Sequence, residues 1–446
     1  MARQLFGTDG IRGVAGEYPL DAGTVHAFGA ALGKWAAGSA TDAEVVLGMD
    51  TRESGPWLAE QVAGGLARHG VRARFAGLIT TPGIAYLTRT RDFVAGVMIS
   101  ASHNPFQDNG LKAFDHSGFK LPDTEEHRIE QEIHRLRHDG IEPRGVAAPV
   151  DEGLDRAYID FLKSTFPCRL DGLRMVVDCA NGAASHLAPE LFEELGAHVY
   201  SIGSLPNGRN INLNCGALHV ESLRERVLAE EAALGVAFDG DADRAMFVSR
   251  SGRIVDGDAV LLIAAGALKA QGRLRGDTVV STVMSNLGLE RALRSAGIRM
   301  LRTPVGDKYV LEEMLRQDAV LGGEQSGHVI FREYATTGDG LLTALRVLEI
   351  SQASGNDLDQ LAAGLEVYPQ LTVNVRVKHK KPLDKLDAVN REIRAVEAAF
   401  GDAGRVLVRF SGTEPLARVM VEGPDPARVK EHAHRIADAI RSELGA

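Results

Sequence analysis

The stretch FVAGVMISASHNP, residues 93–105, joins an apolar run to a polar cluster. Residues 93–99 are apolar throughout, which predicts a buried strand. Two serines, a histidine and an asparagine follow at once, and Pro105 must then turn the chain. In open α/β sheets, ligands bind at the carboxyl ends of strands. The hydroxyl-rich strand end therefore suggests a functional loop, although such clusters are also ordinary turn material.

A strand–loop–helix–strand unit occurs three times along the chain. The units begin with the strand-like runs at residues 43–50, 173–180 and 276–283, and glycines follow their helical segments. This is the βαβ pattern of a largely parallel sheet. Each unit also has a later apolar strand that runs into a polar motif. These motifs are SASHNP (100–105), DGDADR (239–244) and GEQSGH (323–328), and we expect them to face a shared cleft.

The C-terminal part of the chain has a different pattern. Apolar residues alternate in LTVNVRVK, RVLVRF and ARVMVEG, which predicts strands, and the intervening and following segments have helical periodicity. This combination predicts an α+β domain with antiparallel strands. We therefore expect an α/β protein with three similar mixed α/β domains and a C-terminal α+β domain. The expected boundaries are 1–150, 151–252, 253–366 and 367–446.

Charge and composition restrict the class of protein. The net charge of −10 argues against nucleic acid or an anionic membrane as the main partner. The apolar stretch at 260–265 is too short to cross a bilayer, and residues 1–13 lack the apolar segment of a signal peptide. Cys168, Cys179 and Cys215 form no CxxC pair. We expect a cytoplasmic globular enzyme.

The motif DGDADR predicts a metal site. Asp239, Asp241 and Asp243 alternate with small residues, and an extended segment would direct all three carboxylates to one side. Carboxylates this close repel one another unless a cation neutralises them, and oxygen ligands suit Mg²⁺. An acidic surface turn is the alternative. The metal site is favoured because the triplet directly follows the apolar run 234–238.

A serine at a strand end, opposite a bound cation, can carry a phosphoryl group. Ser102 is best placed for this role, and the neighbouring His103 could donate a hydrogen bond to a phosphate oxygen. A serine hydrolase is not favoured, because no G-x-S-x-G motif surrounds Ser102. Arg12, in a glycine-rich segment, and Lys112 could bring positive charge to the site. Either could equally belong to a structural loop.

Two further motifs predict substrate contacts. A carboxylate, a hydroxyl and an imidazole in GEQSGH suit the hydroxyl groups of a sugar. The stretch RFSGTEP, residues 409–415, offers a guanidinium, hydroxyls and backbone N–H groups around a turn, which predicts an anion cradle. Glycine-rich polar turns and solvated arginines are the alternatives. The candidate substrate-binding residues are Arg244, Glu324, Ser326, His328, Arg409, Ser411, Gly412, Thr413 and Arg418.

These motifs occur in the order known from one superfamily. FGTDGIRG (6–13), SASHNP, DGDADR, GEQSGH and RFSGTEP together resemble the α-D-phosphohexomutase superfamily across essentially the whole chain. Gln325 resembles the branch that acts on glucosamine phosphates, whereas the mannose and glucose branch usually has methionine there. The resemblance implies three mixed α/β domains and a C-terminal domain around a central cleft.

The resemblance also implies a chemistry. Ser102 would be phosphorylated in the active enzyme, and one Mg²⁺ per chain would be held by the phosphoserine and the aspartates Asp239, Asp241 and Asp243. The implied reaction interconverts glucosamine 6-phosphate and glucosamine 1-phosphate through a bisphosphorylated sugar, which is both intermediate and activator. Its product would feed the synthesis of UDP-N-acetylglucosamine and peptidoglycan.

Several points stay open at this stage. Lys112, His328 and Arg12 are the candidates for accepting the proton of the attacking hydroxyl. A kinase or autophosphorylation would first phosphorylate Ser102, and a homodimer is one candidate for the oligomeric state.

Three alternative functions also remain. One is a phosphomannomutase or phosphoglucomutase that uses the same machinery. Another is an aspartyl-phosphate phosphatase, with Asp239 as nucleophile and Asp241 as acid. The third is a non-catalytic phosphosugar sensor, against which the intact Ser102 and aspartate triplet argue.

Overall fold

The computed structural model describes residues 5–40, 42–411 and 415–445. The chain divides into two compact units. The larger unit comprises Met1–Met284 and Met300–Ala363, and the smaller unit comprises Ser285–Arg299 and Gly364–Ala446. Among the described helices, none combines the length and apolar character needed to cross a membrane.

The first sheet of the larger unit has six strands in the order β1-β2-β6-β5-β3-β4. β3 runs parallel to β4 and β5, whereas β6 runs antiparallel to β5 and β2. Every residue of β5 is buried, as its apolar run predicts. The elements are β1 (Phe6–Gly7), β2 (Gly10–Val14), α1 (Ala22–Ala37), β3 (Glu44–Met49), α2 (Gly55–Ala67), β4 (Arg72–Leu78), α3 (Thr81–Thr90), β5 (Ala95–Ile99), β6 (Asp108–Asp115) and α4 (Asp123–His138).

Two glycines let α1 and α2 pack closely beside this sheet. A Cβ on Gly29 would lie 2.3 Å from the carbonyl oxygen of Val62, and a Cβ on Gly65 would lie 2.3 Å from that of His26. Any larger residue would therefore force the two helices apart. The apolar faces of both helices pack with β3 and β5 in one core.

The second sheet has the strand order β11-β10-β9-β7-β8. β7 is parallel to β8 and β9, and β10 returns antiparallel to β9. The motif DGDADR therefore lies in the turn between β9 and β10. The elements are α5 (Leu154–Ser164), β7 (Arg174–Asp178), α6 (Ala184–Glu194), β8 (His198–Ile202), α7 (Glu221–Ala229), β9 (Leu234–Phe238), β10 (Ala245–Ser249) and β11 (Ile254–Val255).

The third sheet has the strand order β13-β12-β14-β15. β12 is parallel to β14, and β15 is antiparallel to β14, so GEQSGH also occupies the connection between antiparallel neighbours. The elements are α8 (Gly257–Ala270), β12 (Thr278–Thr282), α9 (Leu287–Ser295), β13 (Arg299–Thr303), α10 (Asp307–Gln317), β14 (Leu321–Gly323), β15 (Val329–Phe331), α11 (Gly340–Ser354) and α12 (Leu358–Leu361).

The three sheets share one feature. In each, a buried strand of the parallel part ends in a polar motif, and the next strand returns antiparallel beside it. The βαβ repeats predicted mainly parallel sheets, and the sheets are mixed because each motif turns the chain back. The predicted class of three mixed α/β domains is confirmed.

The smaller unit is an α+β structure, as predicted. Its three strands are antiparallel in the order β16-β18-β17. Its elements after α9 are β16 (Gln370–Arg376), α13 (Asp387–Phe400), β17 (Arg405–Phe410), β18 (Leu416–Glu422) and α14 (Pro426–Leu444).

The segment Ser285–Arg299 belongs to this smaller unit, although the predicted boundaries place it in the third domain. The side chain of Asn286 bonds to the backbone C=O and N–H of Tyr368, at 2.9 Å each. The N–H of Leu287 donates to Glu422 at 2.9 Å. These bonds attach the start of α9 to the C-terminal strands.

Candidate active site

Ser102 lies in the turn after β5, close to the aspartate motif. Its side chain is buried, and its backbone is in the left-handed region with φ +53°. The N–H of Ser102 donates to the Ser100 hydroxyl at 2.9 Å. Its own hydroxyl donates to Asp239 Oδ2 at 2.6 Å. The predicted carrier and the predicted metal loop are therefore in direct contact.

Two side chains hold the backbone of the serine loop. Arg52 Nη2 donates to the carbonyl oxygens of Ser102 (3.1 Å) and Asn104 (2.6 Å). Asn212 Nδ2 donates to the same two oxygens, at 2.9 and 3.1 Å. Arg52 is fully buried and is neutralised by an ion pair with Asp50. This clamp was not predicted from the sequence, because the charged pair in Asp-Thr-Arg after β3 does not by itself show that Arg52 is buried.

The three aspartates lie on a turn. Ala242 has φ +55°, so the motif is not the extended segment that its alternating pattern predicts. The turn nonetheless gathers the carboxylates, and one oxygen from each of Asp239, Asp241 and Asp243 lies within 4.8 Å of the others. All three residues are buried. The prediction of a cluster is confirmed, and the backbone argument for it was wrong.

The donor set of this cluster fits a hard cation. Asp241 Oδ1 and Asp243 Oδ1 are buried and accept no hydrogen bond from the described residues. Burial and the two neighbouring carboxylates raise the pKa of Asp239 to about 8. A cation bound by all three carboxylates would stabilise this group of buried oxygens. The aspartate triad can therefore bind a metal ion.

Lys112 and Arg12 bring positive charge to this cluster. The buried Lys112 Nζ lies 2.7 Å from Asp241 Oδ2 and 3.0 Å from Asp9 Oδ2. Burial would lower the pKa of Lys112, but the surrounding carboxylates raise it above its ordinary value. Arg12 pairs with Asp9 as well, and its Nη1 donates to the Ala101 carbonyl at 3.4 Å. Asp9 was missed, although it lies in the quoted motif FGTDGIRG.

His103 is placed beside the serine hydroxyl. Its Nδ1 lies 3.3 Å from Ser102 Oγ. Burial and the nearby guanidinium groups of Arg244 and Arg12 lower the pKa of His103 to about 4. The ring is therefore neutral at neutral pH, so one ring nitrogen donates a hydrogen bond and the other accepts one.

His328 is directed at the aspartate cluster. Its Nδ1 lies 3.6 Å from Asp243 Oδ1, and its Nε2 accepts the N–H of Gly338 at 3.0 Å. Because Nε2 accepts this bond, the ring proton of the neutral form is on Nδ1 and faces Asp243. The sequence predicts that His328 contacts the sugar or accepts a proton, whereas in this structure both ring nitrogens face protein groups.

Arg244 also contacts the cluster. Its backbone N–H donates to Asp239 Oδ1 at 3.2 Å, and its Nε lies 3.8 Å from Asp243 Oδ1. The Nε atom is buried and donates no hydrogen bond to the described residues. The guanidinium is thus a cation held beside the metal-competent carboxylates.

Glu324 and Ser326 lie together in the loop between β14 and β15. Ser326 Oγ donates to Glu324 Oε2 at 3.3 Å, and Glu324 Oε1 accepts the N–H of Gly306 at 3.1 Å. The carboxylate is therefore oriented by the residue that precedes α10. Of the three candidates in GEQSGH, these two form one polar pair.

The arginines of the C-terminal motif face each other on neighbouring strands. Arg409 of β17 is directly opposite Arg418 of β18 in the antiparallel register. Like charges in this position repel each other, and burial together with Arg418 lowers the pKa of Arg409. A bound anion would relieve this repulsion. Ser411 follows, with its N–H bonded to the Leu416 carbonyl at 2.8 Å, whereas Gly412 and Thr413 lie outside the described residues.

Comparison with known families identifies the class of protein. The models for phosphoglucomutase/phosphomannomutase alpha/beta/alpha domains I, II and III match residues 3–139, 156–252 and 256–368. The model for the C-terminal domain of the same family matches residues 373–439. The chain belongs to the phosphoglucomutase/phosphomannomutase family. The resemblance found in the sequence is confirmed, and the chain is a phosphomutase, an isomerase.

Individual relatives of this phosphomutase agree with that assignment. A "Phosphoglucosamine mutase" of Solibacter usitatus is 66% identical and covers 100% of both chains. One of Koribacter versatilis is 51% identical over 99% of this chain and 98% of the relative. A solved phosphoglucomutase/phosphomannomutase family protein from Burkholderia thailandensis superimposes with a TM-score of 0.80 at 25% identity, over 98% of this chain and 97% of that one.

In a phosphomutase, the charges around Ser102 can stabilise a phosphoryl group during transfer. The match of four phosphoglucomutase/phosphomannomutase domains also argues against an aspartyl-phosphate phosphatase. Asp241 Oδ2 accepts hydrogen bonds from Lys112 and from the Thr81 hydroxyl, so it acts there as an acceptor. Thr81, at the start of α3, was also missed. Its signal was the hydroxyl pair Thr80-Thr81 that follows β4.

Proposed function

We propose that this enzyme interconverts glucosamine 6-phosphate and glucosamine 1-phosphate, with Ser102 as the phosphoryl carrier. The observation that carries the proposal is the 2.6 Å contact between the Ser102 hydroxyl and Asp239 of the metal-competent triad. The choice of sugar rests on the full-length relatives named "Phosphoglucosamine mutase". Gln325 in GEQSGH supports the same choice.

The proposed reaction has two phosphoryl transfers. The bond between phosphorus and Ser102 Oγ breaks as a sugar hydroxyl attacks, and the proton of that hydroxyl is released. The product is a bisphosphorylated sugar, which turns over in the site. Its other phosphate then moves to Ser102 Oγ, which restores the phosphoenzyme and releases the isomeric monophosphate. A bisphosphorylated sugar added from outside would restore the phosphoenzyme in the same way and act as activator.

The residues around Ser102 have separable tasks in this reaction. Asp239, Asp241 and Asp243 would hold Mg²⁺, which offsets the negative charge of the phosphoryl group when bound. Lys112 and Arg12 add fixed positive charge beside the serine loop. The neutral His103 ring can donate to a phosphate oxygen.

His328 has an indirect task in this proposal. Since its ring nitrogens face Asp243 and Gly338, it orients Asp243 within the triad. Arg12 and Lys112, the other two candidates for accepting the proton of the attacking hydroxyl, are cations in this structure because, against the effect of burial, neighbouring carboxylates raise the pKa of each, so either would first have to lose a proton.

Two other groups would bind the parts of the substrate that do not react. The Glu324–Ser326 pair can accept and donate hydrogen bonds to sugar hydroxyls. The opposed Arg409 and Arg418, with Ser411, Gly412 and Thr413, would hold the distal phosphate. One cradle must serve both monophosphates, because the intermediate presents each of its phosphates to Ser102 in turn.

Steady-state kinetics with three sugars tests the substrate. We expect glucosamine 6-phosphate to have the highest kcat/KM among the 6-phosphates of glucosamine, mannose and glucose, with a bisphosphate activator present. Glu324→Ala should impair all three. A preference for mannose of tenfold or more, about 1.4 kcal/mol, would instead identify a phosphomannomutase.

Peptide mapping of the purified protein tests the carrier. We expect an acid-stable phosphate on Ser102, and Ser102→Ala should abolish nearly all activity. A hydroxylamine-labile phosphate on Asp239 would refute the serine carrier and favour an aspartyl-phosphate enzyme.

A further inference from the structure

Lys120 joins two distant parts of the larger unit. Its Nζ forms ion pairs with Asp9, in the loop between β1 and β2, and with Asp307, the first residue of α10. The backbone of Lys120 is fixed by a bridge to Phe114 of β6. The three charged side chains are only 17–20% exposed, so solvent screens their attraction less than it screens a surface pair.

On the first side, Lys120 shares Asp9 with the two cations of the candidate active site. Asp9 Oδ1 accepts from Lys120, whereas Asp9 Oδ2 accepts from Arg12 and lies 3.0 Å from Lys112 Nζ. Each carboxylate oxygen thus has its own partners. Lys120 thereby restrains the rotation of the carboxylate, which is one of the partners of both Arg12 and Lys112; the Ala101 carbonyl is a further partner of Arg12, and Asp241 of Lys112.

On the second side, Lys120 reaches the support of the sugar loop. Asp307 directly follows Gly306, whose N–H donates to Glu324 Oε1 at 3.1 Å. Gly306 has φ +136°, a backbone conformation that residues other than glycine rarely adopt. The position of Asp307 is therefore coupled to that of Glu324 through one peptide unit.

We propose that Lys120 is a positioning residue for phosphoryl transfer. It holds Asp9, and through it Arg12 and Lys112, at a fixed place relative to the loop that carries Glu324. The inference rests on the proposed function, because it assigns these groups to one reaction. Loss of Lys120 leaves each group present but free to shift, so the damage should fall on the transition state more than on substrate binding.

The test is steady-state kinetics in both directions for Lys120→Met and Lys120→Arg. We expect Lys120→Met to lower kcat by about tenfold or more with KM changed less than about threefold. Lys120→Arg keeps the charge and should retain at least about a third of kcat. Asp307→Asn should also lower kcat. In the double variant, kcat should fall by less than the product of the two single fold-decreases, because both substitutions break the same ion pair.

Lys308→Met is the matched control. Lys308 pairs with Asp123 of α4, so this pair joins the same two parts of the unit, but Asp123 is 59% exposed whereas Asp9 and Asp307 are 20% and 17% exposed. We expect Lys308→Met to keep the wild-type kcat. An equal loss of kcat in Lys308→Met and Lys120→Met would overturn the proposal, because breaking either ion pair between these two parts would then have the same effect. Unchanged kinetics in Lys120→Met would overturn it too.

Two measurements keep these outcomes separable. Thermal unfolding of each variant shows whether activity is measured on folded protein. If Lys120→Met does not fold, the test is the kcat of Asp307→Asn. An unchanged kcat in that variant would refute the proposal. Wild-type protein inactive on all three hexose phosphates would refute the proposed function itself. If the wild-type protein is active and Lys120→Met keeps its kcat, only the role of Lys120 is refuted.

Discussion

Gly240, between the first two aspartates of the triad, should tolerate no side chain. A Cβ at this position would lie 2.5 Å from the carbonyl oxygen of Ser102 and 2.9 Å from Asn212 Nδ2. Ordinary contact with a Cβ begins at 3.4 Å, so Gly240→Ala must push the serine loop and the triad apart by roughly 0.9 Å. The carbonyl cannot yield easily, because Arg52 and Asn212 both hold it.

This displacement sets the size of the expected effect. Overpacking of a close contact costs about 1–3 kcal/mol of folding free energy, which should lower Tm by a few degrees. A misplacement of about 1 Å between reacting groups costs on the order of 10²-fold in rate. We therefore expect Gly240→Ala to lower kcat about 10²-fold, with KM within about threefold because Glu324 and Arg409 are untouched.

Kinetics in both directions and thermal unfolding measure the two effects. Gly266→Ala is the control, since a Cβ on this residue of α8 has no atom within 4 Å. It should keep full activity and gain about 0.5–1 kcal/mol of stability from the higher helix propensity of alanine. A wild-type kcat in Gly240→Ala would refute the argument that transfer needs the close contact between Gly240 and Ser102.

Three further predictions address the metal, the distal phosphate and pH. EDTA should remove activity and Mg²⁺ restore it, whereas Asp241→Ala should not recover at ordinary Mg²⁺ because one of three ligands is lost; full activity without metal would contradict this. Arg409→Ala should raise KM about tenfold to a hundredfold for both monophosphates, as expected for a lost hydrogen bond of about 1.5–3 kcal/mol to a charged group; a rise for only one would refute the shared cradle. Burial raises the pKa of Asp339 to about 6, so the stability that its proton contributes is full below about pH 4 and is lost as pH rises through 6. Asp339→Asn should therefore flatten the dependence of Tm on pH between about 4 and 6, and an unchanged slope would count against it.

The strand ends were predictable from sequence because their signal is local. Apolar runs such as 93–99 and 234–238 can only be buried, and a polar motif directly after such a run lies at a sheet edge whatever the rest of the fold does. The gathering of the aspartates was predicted as well. Its backbone reason was wrong, because a left-handed Ala242 leaves no trace in a pattern of alternating residues.

The groups that support these loops could not be predicted in the same way. Asp9 and Lys120 are far apart in sequence, and so are Arg52 and Asn212, and nothing local separates a buried charge from a solvated one. The orientation of His328 depends on the N–H of Gly338, which only the folded chain brings to the ring. Periodicity identifies strands and motifs, whereas long-range pairing of polar groups decides what each motif contacts.

In the proposed reaction, the contact between Ser102 and Asp239 would link the metal to the phosphoryl group. In the unmodified chain, the Ser102 hydroxyl donates to Asp239 at 2.6 Å and gives that carboxylate a neutral partner. In the proposed reaction this proton is replaced by a phosphoryl group with a charge of roughly −1.5 to −2. The same approach would then set a dianion against a carboxylate whose two neighbours already raise its pKa. Lys112 forms ion pairs with Asp241 and Asp9, so moving it towards the phosphoryl group would break both pairs. In the proposed reaction, a cation bound by the triad would therefore keep the phosphorylated serine in place, and the phosphoryl group would supply part of the charge that holds the cation.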